Sequence, residues 1–131
     1  MNPQIQRRFE RLETKLRNTS AVQQYHLLQR DVAQYSGQVR ARATLADGGL
    51  VELFEHAAVN PNGEIEISKY RYHWQDASGN VIRRWDNAMH HPGLPHAPHH
   101  VHMPDGSVEG VAEPPDAMAV LAHIEAELGQ E

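Results

Sequence analysis

Val39-Arg40-Ala41-Arg42-Ala43-Thr44-Leu45-Ala46-Asp47-Gly48-Gly49-Leu50-Val51-Glu52-Leu53-Phe54-Glu55 decides the fold. Val39, Ala41, Ala43 and Leu45 alternate with Arg40, Arg42 and Thr44, the period of two that a half-buried strand requires. Asp47-Gly48-Gly49 supplies residues that accept positive φ, and the run Leu50 to Glu55 follows at once. The segment predicts an antiparallel β-hairpin.

Working outward, Asn60-Pro61-Asn62-Gly63 marks the next turn, Glu64 to Gln75 a strand, Asp76 to Asn80 a turn, and Val81 to Trp85 a strand closing a second hairpin. Upstream, Val22, Tyr25, Leu28, Val32 and Tyr35 keep helical spacing, yet the segment runs directly into strands; helix and edge strand both stay open, with the edge strand preferred. Ile5, Phe9, Leu12 and Leu16, separated by charged residues, form the stripe of an amphipathic helix. Pro114-Pro115-Asp116 caps a second helix, with Val120 or Leu121, Ile124 and Leu128 facing inward and Gly129 placed to end it.

The expected fold is α+β and a single domain, residues 1–131: an N-terminal helix over 1–18, an antiparallel meander of four to six strands over 37–103 carrying a His/Pro-rich loop at 88–100, and a C-terminal helix over 115–128. Helices against one sheet face would leave the other partly open for function.

With 131 residues the chain can bury a core without a disulfide or structural metal, and having no cysteine it can build neither a disulfide framework nor a thiolate zinc site. That agrees with a cytoplasmic location. The N-terminus is polar and no apolar run reaches membrane-span length, so no membrane association is expected. The net charge of -5 hides a polarity. Asp105, Glu109, Glu113, Asp116, Glu125, Glu127 and Glu131 are unaccompanied by lysine or arginine, and the preceding body is mildly basic.

The chemistry concentrates between Tyr70 and His102, where seven of the ten histidines lie. On the strand through residue 70, alternation puts Tyr70, Tyr72 and Trp74 on one face and Lys69, Arg71, His73 and Gln75 on the other. A basic face flanked by aromatics suits RNA, since phosphates want cations and unstacked bases want π surfaces. The competing reading makes the three aromatics core. Ile65 and Ile67 share the parity of Lys69, so the strand needs a bulge or carries a mixed face.

Prolines 92, 95 and 98 recur every third residue, as a polyproline II segment would, lining up His90, His96 and His99 on one edge with no two closer than roughly 9 Å at ~3.1 Å rise per residue, too far for one metal without a bend. His100 and His102 in a strand would share a face at ~6.6 Å Cα separation, close enough to reach one ion or phosphate. A third ligand from Asp86, His73, His90 or His91 would complete a zinc, nickel or manganese site, so His90, His91, His100 and His102 form the candidate metal set.

No cofactor is required for the other chemistry these groups offer. One imidazole can take the 2′-hydroxyl proton of RNA and another can protonate the leaving 5′-oxygen, while arginine steadies the phosphorane. The role assignments are His73 or His100 as base, His102 as acid and Asp86 orienting an imidazole, with Arg71, Arg84, Tyr72 and Arg42 binding RNA and phosphate. Asp86-Asn87 reads equally well as a strand-end cap. His26, His56 and His123 read as structural.

Tyr70-Arg71-Tyr72-His73-Trp74-Gln75-Asp76, Arg84-Trp85-Asp86-Asn87-Ala88, His90-His91-Pro92 and Pro98-His99-His100 together resemble the TumE-type toxins of type II toxin-antitoxin systems, over roughly residues 37–128. The resemblance implies a small intracellular toxin paired with an antitoxin, often a helix-turn-helix DNA-binding protein, and growth inhibition when unpaired. Met89 stands where the family commonly has proline, and Val101 where it commonly has lysine, which would remove a phosphate contact. The leading expectation is a toxin acting on RNA as a ribonuclease. The rival is a non-enzymatic module that binds a metal, nucleic acid or an acidic partner, with a homodimer as one arrangement.

Overall fold

The computed structural model describes residues 1–129. Helix α1 (Pro3–Asn18) precedes strands β1 (Val22–Val32), β2 (Ser36–Leu45), β3 (Leu50–Val59), β4 (Ile65–Gln75), β5 (Val81–Asp86), β6 (His100–His102) and β7 (Val108–Gly110), and helix α2 (Ala117–Leu128) closes the chain. The strands form one antiparallel sheet in sequence order, a seven-stranded meander. The sheet exceeds four to six strands and the range 37–103 because the edge strand β1 joins it at one end and β7, at three residues too short to show a period, at the other. Val22–Val32 is the edge strand, with bulges at Val22/Gln24 and Leu27/Gln29. Those bulges break its alternation: Val22, Tyr25, Leu27 and Val32 pack against the core, whereas Leu28 and Tyr35, which complete the helix-like spacing, are exposed.

Both helices pack on one sheet face. Asn2 caps α1 by accepting from the Gln4 and Ile5 amides, and Asp116 caps α2 through the Ala119 amide. Ile5, Phe9, Leu12 and Leu16 from α1 and Val120, Leu121 and Ile124 from α2 are buried with Val39, Ala41, Ala43, Leu45, Val51, Leu53, Tyr70, Tyr72 and Trp74. Each of the valine, leucine, isoleucine and phenylalanine side chains among them contributes about 1.5–3 kcal/mol by leaving water. Among them sits Glu55, 1% exposed. It accepts two hydrogen bonds from the Arg8 guanidinium at 2.9 and 3.1 Å, one from the Tyr72 hydroxyl at 2.7 Å, and one from the Ala117 amide at 3.3 Å. One carboxylate thus ties α1, the sheet and the start of α2, where the helix dipole favours an anion.

The opposite face stays polar, because register aligns its side chains in rows across the strands. One row runs Arg42, Glu52, His73, Arg84, His102 and its neighbour runs Arg40, Phe54, Arg71, Asp86, His100. The parity problem in β4 is solved by a bulge. Ala57 pairs with Ile67 and His56 with Lys69, which leaves Ser68 unpaired and lets Ile65 and Ile67 join the helix-side core while Lys69 faces out.

Candidate functional site

Three features bring the site together on the open face. Antiparallel pairing of β5 with β6 sets Asp86 opposite His100 and Arg84 opposite His102. Loop 87–99 then folds back across this face as a succession of turns rather than a straight polyproline segment. Gly110 lies beside His100 in β7, and a side chain there would collide with the Pro95 carbonyl, so the bare glycine is what lets the loop lie down.

Beneath the loop, Asp86 is 5% and His100 2% exposed. His100 contacts the Pro98 carbonyl through Nδ1 at 2.8 Å and Asp86 Oδ1 through Nε2 at 2.9 Å. His102 brings its Nε2 to 3.4 Å from Asp86 Oδ2. His91, on the loop, places its ring centroid 5.1 Å from that of His100 and 5.9 Å from that of His102. One ligand atom from each of His91, His100 and His102 lies within 4.8 Å of the other two. Burial, aided by the neighbouring His100 and His91 rings and the Arg84 guanidinium, pushes the His102 imidazole below its ordinary value, against the pull of Asp86.

The cluster opens into a pocket of about 430 Å³ lined by Lys69, Tyr70, Arg71, Arg84, Asp86, Asn87, Ala88, His90, His91 and His102. Arg84 Nε is 3.7 Å from Asp86 Oδ2 and is buried without a hydrogen-bond partner. Burial and the Asp86 charge push the Tyr70 hydroxyl up to about 12, so it stays neutral, 2.8 Å from His99 Nδ1. Asn87 pins the pocket wall, accepting from the Tyr70 amide and donating to the Ser68 carbonyl, while Asp86 Oδ1 also accepts from the Ala88 amide. Asp86 and Asn87 therefore do cap the strand end, and Asp86 faces the imidazoles as well.

His100, His102, Asp86 and His91 meet in one place, and Arg71, Arg84 and His90 line the pocket above them. The remaining assignments move. Tyr72 is 1% exposed on the helix side, with its hydroxyl spent on Glu55, so it offers no surface for a base. Arg42 lies on the open face but is paired to Glu52 at 3.1 Å, outside the pocket. His73 turns its Nε2 to Gln75 at 2.9 Å and lines no part of the pocket. His100, as a base, would have to act from a buried ring whose two nitrogens both face acceptors. Val101 is buried with its side chain on the opposite side of β6 from its neighbours His100 and His102, so position 101 does not point a residue at a phosphate in the pocket. His123 sets its ring edge-on to Trp74 and Trp85, and His56 bonds Ser68, as structural histidines do. Lys69, which alternation already puts on the same face as Arg71, lines the pocket; Gly110 and the Pro95 carbonyl are the contributors that the residue types alone did not single out.

The fold and site define a class: a small α+β protein whose antiparallel sheet carries helices on one face and an imidazole–carboxylate cluster on the other. Within it, the chain belongs to the TumE family, because the family model described as "Toxin TumE" matches residues 11–131. No curated protein and no solved structure matches the chain. Among the described residues no helix is long and apolar enough to cross a membrane.

Proposed function

We propose that this toxin is the active half of a type II toxin-antitoxin pair and that it cleaves RNA at the pocket between β4, β5 and loop 87–99. The supporting observation is the union of two chemistries in one cleft. Lys69, Arg71 and Arg84 on the walls offer the charge a phosphodiester needs, and His91, His102 and Asp86 line the same cleft where a phosphorus-linked oxygen would gain or lose a proton. Cleavage by 2′-oxygen attack forms one P–O bond and breaks the P–O5′ bond, giving a 2′,3′-cyclic phosphate and a free 5′-hydroxyl. The net proton change is zero, and the groups that move the proton must line the cleft.

The antitoxin, a helix-turn-helix DNA-binding protein on this reading, neutralises the toxin by covering the open face. Inducible expression should arrest growth, and the His100→Ala/His102→Ala double variant should relieve arrest with an unchanged circular dichroism spectrum. Purified protein should cleave RNA. A folded double variant of undiminished toxicity places the activity elsewhere, and RNA binding without turnover favours a binding module.

A further inference from the structure

The same cluster has the donor set of a transition-metal centre. His100 presents Nε2 inward because Nδ1 is held by the Pro98 carbonyl at 2.8 Å, the outer-shell arrangement that fixes a ligating imidazole's tautomer and direction. Asp86 Oδ1 is 2.9 Å from that Nε2, and Asp86 Oδ2 is 3.4 Å from His102 Nε2, so one carboxylate touches two inward nitrogens. His91 comes from a separate segment and brings a third nitrogen within 4.8 Å of the others. Bonds of about 2.0–2.1 Å would set two nitrogens roughly 3.5 Å apart on one tetrahedral ion, so side-chain rotations of about an ångström complete the site.

We propose that His91, His100 and His102, with Asp86, bind one divalent transition-metal ion of the zinc class. Three imidazoles and a carboxylate suit zinc, nickel or manganese and disfavour calcium and magnesium, which take oxygen ligands. His90, also in the pocket wall, is not one of the converging groups, and His96 lies elsewhere on the loop. Three of the four ligands come from strands β5 and β6 and one from the loop, so binding would also lock loop 87–99 over the open face. The proposal rests on the site assigned above but not on its substrate. With a metal bound, the three imidazoles serve as ligands and RNA cleavage becomes sensitive to chelators.

The test uses the full-length chain, stripped with chelator and dialysed against zinc, nickel or manganese chloride. Elemental analysis should find one ion per chain, and titration calorimetry should give saturable binding. Cobalt(II) substitution should give the visible absorption of a four- or five-coordinate ion. His102→Ala and His91→Ala should each weaken binding at least about 100-fold, beyond the 10–100-fold cost of losing an outer-shell partner, while His96→Ala leaves it unchanged. Because His100 is buried, the two less buried ligands decide the matter if His100→Ala fails to fold. Absence of stoichiometric binding, or binding lost in His96→Ala and kept in the other two, overturns the proposal. Chelator-resistant RNA cleavage by a protein that binds no metal would overturn it and leave the ribonuclease reading intact; one bound ion with no cleavage would do the reverse.

Discussion

Glu55 and Asp86 are both buried carboxylates on the same sheet, one on each face, and their surroundings differ in kind. Glu55 has four fixed donors, from an arginine, a tyrosine and a backbone amide, so its charge is fully answered and nothing can approach it. Asp86 has one amide and two imidazoles, with a guanidinium at 3.7 Å that does not bond to it, and a pocket stands open above. Imidazoles can release a proton or exchange it for a metal, whereas Arg8 cannot. A saturated carboxylate holds a fold together; one held by exchangeable partners is available for chemistry.

Glu55→Ala should produce the largest loss of stability. It strands the Arg8 guanidinium and removes the anion at the start of α2, a change that costs about 3–5 kcal/mol when one partner of a buried pair is deleted. Denaturant titration would measure it; a loss below about 1 kcal/mol would show that the network is dispensable. Asp86→Asn should separate the two carboxylates, because an amide oxygen can still accept from His100 and from the Ala88 amide. Stability should stay within about 1 kcal/mol of the parent, while growth arrest disappears. If Asp86→Asn unfolds the protein as Glu55→Ala does, the contrast between the two faces fails.

Gly110→Ala lies between these two in cost, about 1–3 kcal/mol for overpacking. It changes no group in the pocket, yet its methyl would meet the Pro95 carbonyl and push loop 87–99, with His91, away from β6. Toxicity should fall although every polar side chain remains. Full toxicity would mean that the loop's seat, and His91 with it, is not needed.

How much of this could be read from residues alone follows from the range of the interactions. Alternation over Val39 to Glu55 and the glycine turn specified a hairpin because both signals are local. The parity of Arg71 against Tyr72 was equally local, but which face the helices would cover was not, and so Tyr72 could be mistaken for a stacking surface. The pairing of His100 with His102 needed only a spacing of two. Asp86 beneath them depends on β5 and β6 pairing across loop 87–99, and His91 depends on that loop folding back over Gly110. Neither leaves a periodic trace.

The smallest effect belongs to Glu52, a carboxylate of the open face that neither closes the core nor enters the pocket. Burial raises its pKa, but hydrogen bonds from Arg40 at 2.9 Å and Arg42 at 3.1 Å outweigh that and hold it below its ordinary 4.5. A depressed folded pKa contributes stability that is present above the unfolded value and is lost as pH falls through the folded one. Glu52→Gln should therefore cost some 0.2–1 kcal/mol at neutral pH, as partly exposed pairs do. The gap from the parent should close below about pH 4.5, where the parent carboxyl is itself becoming protonated. Paired thermal melts across that range would check it. A gap that persisted in acid would mean that Glu52 holds the sheet by packing rather than by charge, making it a weaker copy of Glu55 instead of the surface tether that its two arginines describe.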